Sequence, residues 1–165
     1  MKTLYLIGGT MGVGKTAVSQ ALKKNLKNAV YLDGDNCWDA DPFQVTDETK
    51  AMVLDNICYL LNNFLRCSAY ENVLFSWVMH EQNIIDRILN GLDTRGCTVK
   101  CISLMADPET IRRRLEGDIL RGLRTEDVIQ RSMERLTRFH SLQTVKIDTS
   151  GKSVREVAEE IEQLS

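Results

Sequence analysis

The sequence predicts an α/β protein in which a five-stranded parallel sheet carries helices on both faces. Short apolar runs typical of buried strands alternate with longer segments whose apolar residues recur at helical spacing. Strands that alternate with helices in this way form parallel sheets, because each crossover helix packs back onto one face. The chain has 165 residues, 43% of them hydrophobic, and only two prolines. We therefore expect one compact domain that covers residues 1–165.

The predicted strands and helices follow one another along the whole chain. The apolar runs that predict strands are 4–7, 29–32, a run that begins at 73, 98–104 and 145–147. Helical spacing of apolar residues predicts helices after residue 15 and over 47–66 and 84–92. Three more helices are predicted by their start signals. Pro108 follows the cap residue Asp107, Thr125 precedes two acidic residues, and Ser153 begins a capping box that ends at Glu156.

Charge and composition limit the classes of partner. The formal net charge of −2 gives no overall attraction to nucleic acid, so a nucleic-acid partner is not expected. A stripe of Arg131, Arg135 and Arg138 is typical of a charged outer helix face. No apolar segment approaches the length of a membrane span and no signal-peptide pattern is visible, which favours a cytoplasmic monomer or homodimer. The five cysteines lack C-x-x-C spacing, so we expect neither a zinc site nor disulfides.

A glycine-rich segment between the first predicted strand and helix has the pattern of a phosphate-binding loop. Residues 9–16 fit the spacing G-x-x-x-x-G-K-[ST], and the expected strand and helix flank them. Such a loop turns its backbone N–H groups toward an anion, Lys15 adds a charge for the β and γ phosphates, and Thr16 offers a hydroxyl to Mg²⁺. The remaining residues of the predicted cradle are Gly9, Thr10, Met11, Gly12, Val13 and Gly14.

A pair of carboxylates follows the second predicted strand. Ligands of such sheets collect at the carboxyl ends of the strands, where Asp33 and Asp35 lie near the glycine-rich loop. If both residues are extended, their side chains point to one side of the backbone, about 7 Å apart. One carboxylate then holds Mg²⁺ through water and the other accepts a proton from an attacking hydroxyl. The alternative is a plain turn, because Asp, Gly and Asn all favour turns.

Three further side chains follow strand ends near this predicted site. Trp38 comes after the second strand, and Trp77 and His80 come after the third. All three are candidates to line an acceptor pocket beside Asp35. The alternative is a structural role, because tryptophans at strand ends often pack against the core and a single histidine often has a structural partner.

The glycine-rich loop together with Leu32-Asp33-Gly34-Asp35-Asn36 resembles the small P-loop kinases, which include shikimate, gluconate and adenylylsulfate kinases and chloramphenicol phosphotransferase. The resemblance covers nearly the whole chain. It implies a three-layer P-loop NTPase fold, ATP and Mg²⁺ as cofactors, Asp35 as the base that orients the acceptor hydroxyl, and Asp33 nearer the metal. Cys37-Trp38-Asp39 departs from adenylylsulfate kinases, which carry a basic residue there. Ser76 stands where many P-loop proteins have an acid, so Mg²⁺ would depend on Thr16, Asp33 and water.

The arginine-rich stretch 112–124 resembles the lid of the same kinases, and we place the lid at about 117–125. Gly117 and Gly122 are candidate hinges. Arg114 and Arg121 are two helical turns apart, about 10 Å along a continuous helix. The resemblance implies that Arg114 lies against adenine and that Arg121 closes over the β and γ phosphates. The alternative is a solvated helix face paired with acidic neighbours, which are Glu109, Glu116 and Asp118.

A last candidate for nucleotide binding follows the fifth predicted strand. Residues 148–152 lie where related kinases wrap backbone around the adenine edge, which implies a role for Gly151. A plain strand-to-helix turn is an equal alternative.

These features together predict an ATP- and Mg²⁺-dependent phosphotransferase. It moves the γ-phosphoryl group to a hydroxyl or phosphate of a small-molecule acceptor, such as a nucleoside, a nucleotide or an antibiotic, with Lys15, Asp35 and Arg121 as catalytic residues. The alternative is a regulatory module that binds nucleotide without turnover. A GTPase switch is not favoured, because the Asn-Lys-x-Asp guanine motif is absent from the sequence.

Overall fold

The computed structural model describes residues 1–164 and contains a five-stranded, all-parallel sheet. The strands are β1 (Lys2–Gly8), β2 (Ala29–Asp33), β3 (Asn72–Ser76), β4 (Cys97–Met105) and β5 (Val145–Asp148). Their spatial order is β2-β3-β1-β4-β5. Each predicted strand is confirmed, and the parallel sheet follows from the helices that separate successive strands. Because β1 is central, the glycine-rich loop that follows it lies at the middle of the carboxyl edge.

Six α-helices connect or flank the strands in the described part of the chain. They are α1 (Lys15–Asn25), α2 (Asp47–Arg66), α3 (Gln82–Asn90), α4 (Pro108–Leu120), α5 (Asp127–Leu136) and α6 (Val154–Glu162), and two short 3₁₀ segments cover Gly34–Cys37 and Thr137–Ser141. Two of the three predicted start signals form side-chain caps, whereas α5 begins after Thr125 without one. The Asp107 side chain accepts a hydrogen bond from Thr110 N–H, and Ser153 and Glu156 form the capping box of α6.

Two apolar layers separate the sheet from its helices. Alternate residues of each central strand point to opposite faces, so Leu4 and Phe75 lie on one face and Ile7 and Leu74 on the other. All four are fully buried. The first layer contains apolar residues of α2 and α3, and the second contains those of α1, α4, α5 and α6. The predicted α/β architecture with helices on both faces is therefore confirmed.

Backbone hydrogen bonds at the carboxyl edge bring three segments together. Trp77 N–H donates to Ile7 O at 3.2 Å, and Gly9 N–H donates to Val78 O at 3.1 Å. In the same edge Asp33 is in register with Ser76. The glycine-rich loop, the end of β2 and the segment after β3 therefore form one continuous surface.

Among residues 1–164, no helix combines the length and the apolar character that crossing a lipid bilayer requires.

Candidate active site

The glycine-rich loop between β1 and α1 adopts a conformation that side chains would prevent. Gly12 and Gly14 have φ angles of 86° and 99°, which favour glycine. A Cβ atom at Gly12 would also lie 2.8 Å from Leu115 Cγ, so α4 packs directly on the loop. Gly14 then precedes α1, whose first N–H groups face the space above the loop. This geometry provides an anion cradle at the positive end of a helix.

Thr10 and Ser132 anchor the loop to α5. The Thr10 side chain is buried, and its Oγ1 lies 2.7 Å from Ser132 Oγ. Ser132 Oγ also donates to Met11 O at 2.8 Å. The sequence analysis assigned Thr10 to the loop but missed Ser132. The only sequence signal for Ser132 is that it is a polar residue on the apolar face of α5, beside the buried Val128 and Leu136.

Lys15 lies partly buried beneath the loop and has a perturbed pKa. The pKa of the Lys15 ammonium is lowered to about 8, mainly by burial; the Asp35 carboxylate opposes the shift, the charge of Arg124 adds to it, and Asp33 also opposes it. Among the residues that the structure describes, Thr10 O is the hydrogen-bond acceptor of Lys15 Nζ, at 3.0 Å. The ammonium group has three protons, so it retains donors for an anion in the cradle.

Asp33 is extended at the end of β2, but Asp35 is not, so the pair lacks the geometry on which the predicted spacing of the two side chains depended. Residues 34–37 form a 3₁₀ turn, and Asp33 caps it by accepting a hydrogen bond from Asp35 N–H at 3.0 Å. The turn alternative was correct for the backbone, because the Asp33 side chain competes for a backbone N–H group. Thr16 Oγ1 donates to Asp33 Oδ2 at 3.1 Å, so these two residues, both predicted to bind metal, are in contact.

One cavity of about 410 Å³ brings most of the predicted site residues together. Its walls come from the glycine-rich loop, the end of β2, the segment after β3, and α4 with the residues that follow it. The lining residues are Met11, Gly12, Gly14, Lys15, Thr16, Ala17, Asp33, Asp35, Trp77, Val78, Arg114, Asp118, Arg121 and Arg124. Cationic groups at the loop and lid therefore face carboxylates at the sheet edge.

The three predicted acceptor-pocket residues have different positions. Trp77 lines the cavity and packs so closely on Gly34 that a Cβ atom there would lie 2.6 Å from Trp77 Cγ. Trp38 does not line the cavity; its ring lies 4.2 Å from the ring of Phe43, centroid to centroid. His80 does not line it either. His80 Nε2 lies 3.6 Å from Glu81 Oε1, and burial lowers the pKa of the imidazole. Neither residue lines this cavity, and the acceptor-pocket role of Trp38 and His80 stays a prediction.

Four residues of the arginine-rich stretch line the cavity, namely Arg114, Asp118, Arg121 and Arg124, and their role as a lid stays a prediction. Gly117 is inside the continuous helix α4, so only Gly122, with φ 71°, breaks the chain direction. Asp118 pairs with Arg121 at 2.7 Å and with Arg124 at 3.3 Å. The acidic pairing that was the alternative for Arg121 is therefore present, although Arg121 also lines the cavity.

Arg124 is a site residue to which the sequence analysis gave no role. It lines the cavity, and its charge helps to lower the pKa of Lys15. Its Nη1 lies 3.4 Å from Met11 Sδ of the glycine-rich loop. The signal that could have identified it is the spacing Arg121-Gly122-Leu123-Arg124, in which a glycine turn presents two arginines to the same side.

Arg114 lies between the loop and the segment after β5. Its Nη1 donates to Val13 O and to Thr149 Oγ1, both at 3.2 Å. It also lines a second, smaller cavity of about 140 Å³, whose walls are Val13, Gly14, Val18, Arg114, Thr149, Lys152, Val154 and Val157. Gly151, with φ 69°, lies between two of these lining residues. The adenine contacts of Arg114 and Gly151 stay predictions, and the second cavity is where they would occur.

The residues of the main cavity fit a magnesium nucleotide. The glycine cradle and the ammonium group of Lys15 match the phosphates, because they combine backbone donors with a partly buried charge. Thr16 and Asp33 supply the hydroxyl and carboxylate oxygens that Mg²⁺ prefers. P-loop kinases in general use ATP and Mg²⁺.

Comparison with known proteins identifies the family and the fold. A family model described as the AAA domain matches residues 6–132. A shikimate kinase of Bacillus cytotoxicus is 29% identical, and the alignment covers 98% of this chain and 96% of that protein. The tunicamycin resistance protein of Deinococcus radiodurans has a similar structure, with a TM-score of 0.70, 22% identity and coverage of 100% and 98%.

A gluconokinase from Sinorhizobium meliloti also has a TM-score of 0.70, with 17% identity and coverage of 96% and 88%. These structural likenesses show the α/β P-loop NTPase fold. Together with the matched family model and the curated relatives, they confirm the predicted resemblance. The chain belongs to the AAA-domain family and is a small P-loop kinase.

Proposed function

We propose that this kinase transfers the γ-phosphoryl group of ATP to a hydroxyl group of a small-molecule acceptor. The observation that carries the proposal is the shared cavity. Lys15 and the glycine-rich loop form one wall, and Asp35 faces the same space from the end of β2. Asp35 is exposed, so its carboxylate is accessible to an incoming hydroxyl. This arrangement supports transfer from a phosphate donor held at the loop to an acceptor oriented by Asp35.

The two sides of the cavity have separate tasks in this proposal. The loop amides and Lys15 hold the phosphates, and Arg121 and Arg124 neutralise the charge that develops during transfer. Mg²⁺ would supply charge neutralisation for the phosphates when bound. Thr16 and Asp33 would hold it. Asp35 orients the acceptor hydroxyl and takes its proton.

The charges at the sheet edge favour a hydroxyl acceptor over a phosphate acceptor. A phosphate group carries about −1.5 to −2 charges at pH 7, so Asp33 and Asp35 would repel it. A phosphate oxygen also needs no base. A hydroxyl group is neutral and gains from a carboxylate that accepts its proton. The indole ring of Trp77 gives the same region an apolar surface, which suits the carbon skeleton of a hydroxylated metabolite.

ADP formation measured with a panel of acceptors tests the proposal. The panel contains shikimate and gluconate, because relatives and neighbours carry those names, together with nucleosides, nucleotides and hydroxylated antibiotics. We expect acceptor-dependent turnover on the order of 1–100 s⁻¹ with a hydroxyl compound. Binding of ATP with no acceptor-dependent turnover would instead indicate a regulatory nucleotide-binding module.

Asp35→Asn sharpens this test, and Asp39→Asn is its matched control. Asp39 is an exposed aspartate four residues further on that does not line the cavity. Asp35→Asn should lower kcat by about 10²- to 10⁴-fold and leave ATP affinity nearly unchanged. Asp39→Asn should leave both unchanged. Full activity of Asp35→Asn would show that Asp35 is not the base.

A further inference from the structure

The hydroxyl group of Tyr31 joins two residues at the end of the sheet. Tyr31 Oη lies 2.7 Å from Ser76 Oγ and 3.3 Å from Asp33 Oδ2. Thr16 Oγ1 lies 3.1 Å from the same Asp33 Oδ2. Ser76 is 1% exposed and Tyr31 is half-buried, so this chain of hydrogen bonds runs from the interior of the sheet to the cavity.

The donors and acceptors of this chain can be assigned. An ionised carboxylate only accepts hydrogen bonds, so Tyr31 and Thr16 both donate to Asp33. Tyr31 has one proton, which is then committed to Asp33. Its contact with Ser76 must therefore be one in which Ser76 donates to Tyr31. Each hydroxyl proton then has one acceptor: Ser76 donates to Tyr31, and Tyr31 and Thr16 donate to Asp33.

Strand geometry explains why these residues meet. Tyr31 and Asp33 are two positions apart on β2, so their side chains lie on the same face of the sheet. Ser76 is in register with Asp33 on the neighbouring strand β3. Thr16 belongs to the first turn of α1, and apolar residues of α1 pack on this face together with Tyr31. The contact therefore depends on elements far apart in the sequence.

We infer that Tyr31 is a positioning residue that, with Ser76 behind it, holds the Asp33 carboxylate in the orientation needed at the magnesium site. Ser76 stands at the strand end where many P-loop proteins place an acid. Tyr31 offsets that absence by fixing the remaining carboxylate from the adjacent strand. The inference rests on the proposed function insofar as that function assigns Asp33 and Thr16 to Mg²⁺.

The arrangement also affects Thr16. Because Thr16 donates its only hydroxyl proton to Asp33, the lone pairs of Oγ1 are left for another partner. A carboxylate fixed by Tyr31 keeps Thr16 in that orientation. A carboxylate free to rotate would let Thr16 turn toward other acceptors, so loss of the tyrosine hydroxyl should weaken metal binding through both residues.

Titration of Mg²⁺ into protein saturated with ADP tests the inference without any acceptor. Tyr31→Phe should raise the Mg²⁺ concentration at half-saturation by about 3- to 10-fold, the range expected for one lost hydrogen bond. ADP affinity in the presence of a chelator should stay the same. In an Asp33→Asn background, Tyr31→Phe should have no further effect, because its partner is already changed.

Tyr5→Phe is the matched control. Tyr5 lies on β1 in the same apolar layer, and it is not a lining residue of the cavity. The inference is overturned if Tyr31→Phe leaves the Mg²⁺ midpoint unchanged, if Tyr5→Phe shifts it equally, or if ADP affinity falls equally without metal. If Tyr31→Phe does not fold, Ser76→Ala tests the inference instead. It should also raise the Mg²⁺ concentration at half-saturation. The Mg²⁺ titration needs no acceptor, so it can be measured even if the protein phosphorylates none of the compounds tested. Failure of the proposed reaction is therefore distinguishable from failure of this inference.

Discussion

The carboxylates at the sheet edge and the arginines of the lid face the same cavity, but the protein holds them in different ways. Asp33 accepts hydrogen bonds from Thr16, Tyr31 and the backbone of Asp35. Arg121 and Arg124 are 68% and 37% exposed, and both pair with Asp118 within the same stretch. Asp33 is therefore held by hydrogen bonds to other elements, whereas Arg121 and Arg124 both pair with Asp118 and Arg124 also contacts Met11 of the glycine-rich loop.

The difference shows how the two regions can serve one reaction. Exposed ion pairs contribute about 0–1 kcal/mol, so phosphates that enter the cavity can replace Asp118 as the partner of the arginines at little cost. Asp33 needs no such exchange, because its hydrogen bonds already orient its carboxylate without ligand. In the proposed reaction, a preorganised Asp33 carboxylate would therefore act beside arginines that exchange partners when the nucleotide binds.

Removal of Arg121 should have the largest effect and should change rate without changing stability. Arg121→Ala should lower kcat by about 10³-fold or more, because arginines that neutralise charge in phosphoryl transfer contribute at least that much. The melting temperature should stay within about 2 °C, because the lost surface pair is weak. Arg112→Ala is the control, since Arg112 is an exposed arginine of α4 that does not line the cavity. Loss of less than tenfold in kcat would remove Arg121 from the transfer step.

Replacement of Lys15 should abolish turnover and at the same time increase stability. Its pKa is lowered to about 8 from an ordinary value near 10.5, so the folded protein tolerates the charge poorly. Lys15→Met should abolish turnover and yet raise the free energy of unfolding at pH 7 by roughly 1–3 kcal/mol. Urea denaturation of both proteins measures the difference.

The difference in the free energy of unfolding between Lys15→Met and the wild type should depend on pH. Between pH 8 and about 10.5 the folded protein binds fewer protons at Lys15 than the unfolded chain does, so the wild type gains stability as pH rises. Below pH 8 the penalty is fully present. The advantage of Lys15→Met should therefore be largest below pH 8 and should shrink toward pH 10. A constant difference between pH 7 and 10 would contradict the lowered pKa.

Gly34 should be the most sensitive glycine of the sheet edge. A Cβ atom there would lie 2.6 Å from Trp77 Cγ, so Gly34→Ala must displace the indole ring or the turn that carries Asp35. Overpacking of this kind costs about 1–3 kcal/mol, and we expect activity to fall with stability because both moving groups line the cavity. Thermal denaturation and acceptor kinetics measure the two effects. An unchanged melting temperature would mean that Trp77 is not fixed as the structure shows.

Most of the fold could be predicted from sequence because its signals are local. Apolar runs, helical spacing and the capping box at Ser153 each depend on neighbouring residues, and the glycine-rich loop is a contiguous motif. The turn at Asp33 was also local but ambiguous, because the same four residues suit an extended carboxylate pair and a side-chain-capped turn.

The missed residues depend on contacts between distant parts of the chain. Thr10 and Ser132 are 122 positions apart, and Tyr31 and Ser76 are 45 apart. Nothing in the spacing around Tyr31 predicts that its hydroxyl reaches Asp33 and Ser76, because that requires the strand order and register. Arg124 is different, because its place in the site depends only on the nearby turn at Gly122. That turn could have been recognised in the sequence.

Gly117 lies in the arginine-rich stretch, as Gly34 lies at the sheet edge. Replacing Gly117 by alanine should change stability least among these variants, and should raise it where Gly34→Ala lowers it. It lies inside α4, where the nearest atom to an added Cβ is Arg121 Nη2 at 3.9 Å, an ordinary contact distance. Alanine favours a helix interior over glycine by about 0.5–1 kcal/mol, so Gly117→Ala should raise stability by that amount. Turnover should be unchanged, because the helix is already continuous at this point and the chain breaks at Gly122. A fall in kcat together with higher stability would show that α4 bends at Gly117 during the catalytic cycle. The hinge of the lid would then lie at Gly117 instead of Gly122.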